Sequence, residues 1–490
     1  MRKKFYLTTA LPYVNSVPHL GFALEIIQAD VVARYQRFLG KEVFFLTGTD
    51  ENSLKNVQAA KREGISTQEL VDKNAKKFYQ LKEILNISFD DFIRTTEERH
   101  IKGAQKLWLA CKKDIYKKEY EGLYCVGCEE FYKKEELVDG LCPEHKTRPQ
   151  LVKEENYFFR LSRYQEKLRK IIERNEIEII PEKRKNEVLQ IIKGGLQDIC
   201  ISRSAKRAHG WGIDVPGDSS QKIWVWLDAL GNYITALEYE KEGERFKRFW
   251  SGDTEKVHII GKGILRFHAI YWPAFLLSAN LSLPNKIVVH GYLTIEGEKM
   301  SKSLGNVVQP EEVVRKYGRS ALRYFLLREI PSMEDGDFTF EKLKRRYEGD
   351  LRRGLGNLVA RVIALIERFE KENGKIEIEE EKVEVKKETE RVFKEWKKRL
   401  DNFKFNEALI IIWELISFCD KYLEETKPWK LFKELKKNSS LQKLKNILLN
   451  LLFALKEIAK MLSPFLPETS EKILKQIENK KKEILFPPLK

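Results

Sequence analysis

The chain of 490 residues is 42% hydrophobic and 33% charged, the make-up of a soluble globular protein with room for two to four domains. Its 90 Lys and Arg against 74 Asp and Glu leave a charge of +16, which favours a polyanionic partner, nucleic acid before anionic membrane, unless it marks only a lysine-rich solvated surface. No apolar run of about 18 residues is present, so no transmembrane helix is expected; Met1-Arg2-Lys3-Lys4 lacks a signal-peptide pattern, six cysteines in this length argue against a disulfide framework, and a cytoplasmic chain is expected.

Residues 3–9 are β-branched and aromatic and read as a strand. Pro12 and Pro18 bracket a turn. From His19 the apolar positions Leu20, Ala23, Leu24, Ile27, Val31 and Phe38 fall at helical spacing, and Gly40 closes the helix. A strand, a turn and a helix start make an anion site, with His19 at its mouth and Gly21 allowing close approach. Residues 42–46 read as a second buried strand, ending in Thr47-Gly48-Thr49-Asp50-Glu51. Open α/β sheets place ligand groups on such loops. Helical spacing over 54–62, 67–85 and 98–112 predicts crossover helices on a parallel sheet.

From Ile115 the character changes, and residues 120–146 are short, turn-rich and cysteine-bearing. Cys125-x-x-Cys128, thirteen residues, then Cys142-x-x-His145 places two chelating pairs on tight turns, as a tetrahedral zinc site requires. Four protein ligands leave no open position, so this Zn2+ is expected to be structural. Cys111, Cys200 and Cys419 have no such partners. Residues 157–161 are strand-like and 163–173 helical, and 116–215 reads as an insertion between two halves of the sheet.

The alternation resumes at Ile223-Trp224-Val225-Trp226-Leu227-Asp228. An apolar run at 257–260 meets Gly261-Lys262-Gly263, a helical stretch follows over 264–277, and a strand at 286–289 ends at His290-Gly291. The loop Gly297-Glu298-Lys299-Met300-Ser301-Lys302-Ser303-Leu304-Gly305-Asn306 carries two lysines able to close on a pyrophosphate leaving group and reopen. Beyond about 340 the strands stop, and 351–369, 388–400, 405–423 and 441–462 read as amphipathic helices, with 370–387 a charge-rich connector.

His19-Leu20-Gly21-Phe22 resembles the "HIGH" signature of class I aminoacyl-tRNA synthetases, and Lys299-Met300-Ser301-Lys302-Ser303 matches their "KMSKS" signature in full. Over nearly its whole length the chain is similar to the methionyl-tRNA synthetases. The matching pieces include Ala10-Leu11-Pro12-Tyr13, Gly48-Thr49-Asp50-Glu51, the cysteine knuckle, Trp226-Leu227-Asp228-Ala229, Gly261-Lys262-Gly263-Ile264 with Arg266-Phe267-His268, His290-Gly291-Tyr292, Gly356-Asn357-Leu358 with Arg361, and Lys427-Pro428-Trp429.

The resemblance implies a two-step ligation: methionine and ATP, taken with Mg2+, give methionyl-adenylate, and the methionyl group then passes to the 3′-terminal adenosine of tRNA(Met). It implies an α/β fold, a Rossmann-like parallel-sheet catalytic domain over 1–115 and 216–295 with the zinc-knuckle insertion over 116–215. The lysine loop and linker follow over 296–350, and an all-α anticodon-binding bundle over 351–490. His19, Lys299 and Lys302 would be catalytic, and Gly21, Gly261, His290 and Ser301 would join them around ATP. Asp50 would hold the methionine ammonium, while Leu11, Tyr13, Trp226, Ala229, Tyr233, Ile264 and His268 would surround the thioether, with the Tyr233 hydroxyl or a backbone N–H meeting the sulfur. Asn357, Arg361 and Trp429 would read the anticodon; helix packing for Trp429 and salt bridging for Arg361 are the plain alternatives.

Three departures stand out. Phe22 replaces the second His of the signature, Gly263 stands where the family often has Asp, and Asn52-Ser53 where His-Gly is common. A monomer is expected, with a separate tRNA-binding subunit as an option. The rivals are a class I synthetase for another amino acid and a tRNA-binding homologue impaired in catalysis.

Overall fold

The computed structural model describes residues 3–144, 146–300, 305–374, 376, 385–435 and 438–489. Two compact units divide the chain, Met1–Glu83 with Ile87–His290, and Ile84–Asn86 with Gly291–Lys490.

The first unit opens as strand β1 (Lys4–Thr9), helix α1 (Leu20–Phe38), β2 (Glu42–Thr49), α2 (Leu54–Glu63), α3 (Thr67–Ile84), β3 (Asp91–Arg94) and α4 (Glu98–Ala110). There follow β4 (Ile115–Cys125), β5 (Glu130–Tyr132), β6 (Gln150–Phe159), α5 (Gln165–Glu173), β7 (Glu178–Ile180), α6 (Glu182–Lys193), β8 (Ile199–Cys200), β9 (Ser202–Ser204), β10 (Asp214–Val215) and β11 (Asp218–Ile223). The unit closes with α7 (Val225–Thr235), α8 (Glu244–Phe246), β12 (Thr254–Gly261), α9 (Trp272–Ser278) and β13 (Lys286–His290).

Six strands make one parallel sheet in the order β3-β2-β1-β12-β13-β7. The chain winds outward from β1 to β2 and β3 on one side and returns later as β12 and β13 on the other. The switch point therefore lies between β1 and β12, and the loops at their carboxyl ends open a crevice there. β4, β5, β6 and β8 form a separate antiparallel sheet. Within the stretch read as an insertion, β7 nonetheless pairs Glu178 with Lys286 and Ile180 with Val288, as an edge strand of the main sheet.

Helix α1 is buried on nearly every face. A wholly buried helix must satisfy its own charged groups, and Asp30 does so by accepting from Arg34 Nε at 2.8 Å and from the Ser88 amide at 2.7 Å. Gly40 follows the helix at φ +79°, the left-handed turn that its sequence position predicts. Gly48 is set by close approach: a Cβ there would lie 1.9 Å from the Ile93 carbonyl oxygen.

The run from Ile223 to Asp228 splits, since Ile223 ends β11 and Val225 begins α7. Its Trp and Val residues carry strand propensity, yet the Leu227-Asp228-Ala229-Leu230 continuation and helical burial prevail.

The second unit carries β14 (Leu293–Ile295), β15 (Glu298–Lys299), α10 (Pro310–Tyr317), α11 (Arg319–Arg328), β16 (Gly336–Phe338) and α12 (Phe340–Arg346). After a π-helix at Tyr347–Gly356 come α13 (Asn357–Asn373), α14 (Lys386–Asp401), α15 (Phe405–Thr426), α16 (Pro428–Leu431), α17 (Asn438–Leu462) and α18 (Pro467–Asn479). Leu448, Leu452, Leu455 and Ile458 of α17 are fully buried, each contributing about 1.5–3 kcal/mol. The buried guanidinium of Arg323 donates to the carbonyls of Leu85, Asn86, Pro464 and Phe465, tying 84–86 to the turn after α17.

Candidate active site

The loops at the carboxyl ends of β1, β2, β12 and β13 hold the candidate residues of the first unit. His19 is the N-cap of α1, and its Nδ1 accepts from the Gly21 amide at 3.1 Å. An accepting Nδ1 puts the proton of a neutral imidazole on Nε2, and burial lowers the His19 pKa in the same sense. The ring thus offers a neutral N–H donor beside the helix N-terminus, suited to a phosphate oxygen.

Phe22 packs against an aromatic neighbour. Its ring is buried edge-on against Phe78 at 5.1 Å, so it is a core residue on α1. Glu25, one turn further on, is buried and bidentate in effect. Oε1 accepts from the Ala10 amide at 3.0 Å, and Oε2 lies 2.9 Å from His290 Nε2. It locks the end of β13 to the loop after β1. Gly261 lies beside that His290 ring, with 3.5 Å between it and the Cβ an alanine would carry.

Asp50 follows β2 and bridges in parallel to Tyr13. It is 2% exposed, and its Oδ1 has no hydrogen-bond partner among the described residues. The Tyr13 hydroxyl is likewise buried and unpartnered. Burial first, then the nearby Asp228 and Glu129 carboxylates, push the Asp50 pKa well above its ordinary value. A buried carboxylate held among like charges is a site waiting for a cation.

Helix α7 presents Trp226, Ala229 and Tyr233 at positions i, i+3 and i+7, one face of the helix. Leu11, Tyr13, Trp226 and Ile264 are half-buried against the core that contains Tyr233. Trp226 stacks flat on Phe267, with centroids 3.7 Å apart and planes at 4°. His268 Nδ1 lies 2.9 Å from the Ile264 carbonyl, so Nδ1 carries the proton and Nε2 accepts from the Tyr233 hydroxyl at 2.7 Å. Burial lowers the His268 pKa to about 4, consistent with a neutral ring. The Tyr233 proton, expected to face the thioether, is therefore committed to His268.

Several site-shaping residues escape sequence inspection. Glu25 interrupts an apolar helix, and His258 interrupts the apolar run of β12; a polar residue inside such a run was the available signal. His258 stacks on Tyr233 at 4.2 Å, and its Nδ1 meets Thr8 Oγ1 at 2.6 Å. His100 bridges Asp228 at 2.6 Å and Thr235 at 2.8 Å, while Asn52 donates to the other Asp228 oxygen at 2.8 Å. Nothing local marks these long-range pairs.

In the knuckle, the sulfurs of Cys125, Cys128 and Cys142 lie within 4.8 Å of one another without a disulfide, Cys128 and Cys142 being 3.4 Å apart. Zinc bonds of about 2.3 Å would set tetrahedral sulfurs about 3.8 Å apart, close to this arrangement. The Cys125 thiol and burial hold the Cys128 pKa far above the ordinary thiol range, so three thiolates need a cation among them. The donor set fits Zn2+. His145 lies outside the described residues. The knuckle backbone also reaches the pocket, because Trp226 Nε1 donates to the Cys128 carbonyl at 3.0 Å and Trp224 Nε1 to the Glu129 carbonyl at 2.5 Å.

In the second unit, Lys299 lies in β15, while its side chain, Ser301 and Lys302 lie outside what is described. Asn357 is exposed at the start of α13, and Arg361 follows one turn later. The Arg361 guanidinium sits over the ring of Trp429 at 5.8 Å and pairs with Glu424 at 2.7 Å and Asp420 at 3.6 Å. Trp429 on α16 is 37% exposed.

The family model described as tRNA synthetases class I (M) matches residues 5–150 and 145–363, and that of the anticodon-binding domain of tRNA ligase matches 382–489. With the parallel sheet and its ligand loops, these matches define a class I tRNA synthetase with a helical anticodon-binding domain. A methionine–tRNA ligase of Thermotoga maritima is 42% identical over 98% of this chain and 76% of the relative; one of Brucella suis is 41% identical over 96% and 91%. The solved Mycobacterium tuberculosis methionyl-tRNA synthetase in complex with methionyl-adenylate aligns with a TM-score of 0.92 at 36% identity, covering 99% of this chain and 100% of that one. The chain belongs to the methionine–tRNA ligase family.

Proposed function

We propose that the chain joins methionine to tRNA(Met) in two steps. In the first, a methionine carboxylate oxygen attacks the α-phosphorus of ATP, and the bond to pyrophosphate breaks. In the second, a hydroxyl of the 3′-terminal adenosine attacks the adenylate carbonyl and AMP leaves.

The observation that carries this reading is Asp50, a buried carboxylate with an unpartnered oxygen beside the aromatic wall of Tyr13. An α-ammonium supplies the missing partner in a charge-assisted contact. Trp226, Ala229, Tyr233, Ile264, His268 and Leu11 then surround an unbranched, polarizable side chain, for which aromatic walls suit the sulfur. His19 donates from Nε2 to a phosphate oxygen as negative charge develops, and the α1 N-terminus adds its dipole. Gly21 and Gly261 leave room for the nucleotide, and the Glu25–His290 pair holds the β13 end in place. ATP is taken as its Mg2+ complex.

Lys299, Ser301 and Lys302 are assigned by their motif to the pyrophosphate leaving group. Cys125, Cys128, Cys142 and His145 would hold the structural Zn2+, which when bound ties the knuckle loops together. Asn357, Arg361 and Trp429 are assigned to the anticodon, Trp429 by base stacking. The domain divisions at 115, 215, 295 and 350 belong to the same reading.

The test is ATP–pyrophosphate exchange with each of the twenty amino acids. Exchange with methionine alone is expected. Exchange with a different amino acid overturns the pocket assignment, and its absence with all of them overturns the catalytic role.

A further inference from the structure

Tyr132 closes β5, and pairing with β4 sets its place: Leu123 stands opposite Tyr132, and Cys125 opposite Glu130. Opposed and alternate residues share a face of an antiparallel ribbon, so the Tyr132 side chain rises on the face that carries Cys125. Its half-buried ring packs against the buried cluster of Cys125, Cys128 and Cys142. Its hydroxyl donates to Cys128 Sγ at 3.0 Å. That is a close approach to sulfur in this protein, since the thiols of Cys200 and Cys111 stand 3.3 Å and 3.5 Å from the carbonyl oxygens they meet. Cys128 is also the cysteine whose carbonyl accepts from the Trp226 indole, at 3.0 Å. Tyr132 therefore touches the residue that joins the knuckle to the wall of the amino-acid pocket.

We propose that Tyr132 is a positioning residue for the structural zinc: its hydroxyl donates to the zinc-bound Cys128 thiolate, its ring covers the sulfurs, and the two together set how tightly the ion is held. The inference rests on the reading of the knuckle as a zinc site and deepens it. Zinc is bound by thiolates, not thiols. Three of them carry one negative charge more than Zn2+ supplies, whichever neutral group completes the tetrahedron. That excess sits on sulfurs that are buried, where an unrelieved charge is costly. A hydrogen bond to a charged acceptor is stronger than one to a neutral thiol, so the Tyr132 hydroxyl favours the metal-bound chain over the metal-free one. A phenol does this without adding a charge of its own, and its ring keeps water from the same sulfurs.

The experiment compares the full chain with its Tyr132→Phe variant, which keeps the ring and loses the donor, and with Tyr132→Ala, which loses both. Zinc affinity is read by competition with a chromophoric chelator. The same proteins loaded with cobalt(II) are read by their thiolate-to-metal charge-transfer band. Tyr132→Phe should still take up about one ion per chain, but roughly tenfold to a hundredfold more weakly, the usual cost of removing a group that hydrogen-bonds a metal ligand. Its cobalt band should move to longer wavelength, because a sulfur that loses a donor gives up its electrons more readily. Tyr132→Ala should weaken binding further. Parent-like affinity in Tyr132→Phe overturns the proposal, since the ring alone would then account for any loss in Tyr132→Ala. An unmoved band overturns it even where affinity falls, because a packing change weakens binding without touching the sulfur electrons. Complete loss of metal from a folded Tyr132→Phe chain also overturns it, since the oxygen would then be a ligand and not a donor to one. A parent chain that takes up neither zinc nor cobalt overturns the zinc reading itself, and the proposal with it. Uptake by the parent with no difference in Tyr132→Phe leaves the zinc reading standing and overturns the proposal alone.

Discussion

In the role proposed for it, Asp50 would serve function at the expense of the free protein's stability. Its pKa is raised above the ordinary 3.8, mainly by burial. A carboxyl with a raised folded-state pKa favours folding fully below its unfolded value, and that stability is lost as pH rises through the folded value. Near neutral pH the free protein therefore carries this cost, and a bound ammonium offsets it. Asp50→Asn should raise the denaturation midpoint of the free protein at pH 7 by roughly 2–6 °C. The same change should abolish the further rise that methionine produces in the parent, and should raise the methionine KM in exchange about a hundredfold or more. Differential scanning fluorimetry with and without methionine reads both signs; a midpoint that falls on substitution would contradict the argument. The Gly-containing loop with its carboxylate singles Asp50 out in the sequence as a candidate, and its burial with an unpartnered oxygen is what folding adds. The pairings of Glu25 and His258 were not legible, because their partners His290 and Thr8 lie 265 and 250 positions away.

At the scale of elements, the knuckle and α7 behave as one mechanical piece. The indoles of Trp224 and Trp226 hang from the carbonyls of Glu129 and Cys128, and the Tyr271 hydroxyl donates to Glu130 at 2.6 Å. Cys142→Ser should lower bound zinc, read by atomic absorption, from about one ion per chain towards none. The same variant should raise the methionine KM by severalfold, since Trp226 loses a fixed anchor. Full exchange activity in a zinc-free variant would separate knuckle from pocket. The alternation of β1, α1, β2, α2 and α3 could be read from periodicity, because apolar spacing is a local property. The passage from β11 into α7 could not, since Trp and Val there satisfy strand propensity while helix packing decides the outcome. The π-helix at Tyr347–Gly356, whose part from Leu351 on reads as plain amphipathic helix, has no local sequence mark either.

Across the whole molecule, the charge of +16 sets how the protein meets tRNA. Affinity for tRNA should fall by at least about tenfold between 50 and 200 mM salt, the release expected for a few neutralised phosphates. Trp429→Ala should weaken binding by about 1–3 kcal/mol with little change in that salt slope, because stacking is not ionic. A steep change of slope on removing Trp429 would show that its neighbour Arg361 makes the contact. The basic balance and the helical tail were visible in composition and spacing. What composition could not show is which cations are paired, since pairing such as that of Arg361 with Glu424 is settled only by folding.

Gly48 bears on inheritance. It has no side chain to offer a substrate, yet any other residue would drive a carbon into the Ile93 carbonyl and prise β2 from β3, two residues before Asp50. Every missense allele at this codon should therefore score as a loss in a growth-based screen, as harmful as loss of the carboxylate itself. A position can be indispensable to an enzyme for want of room alone.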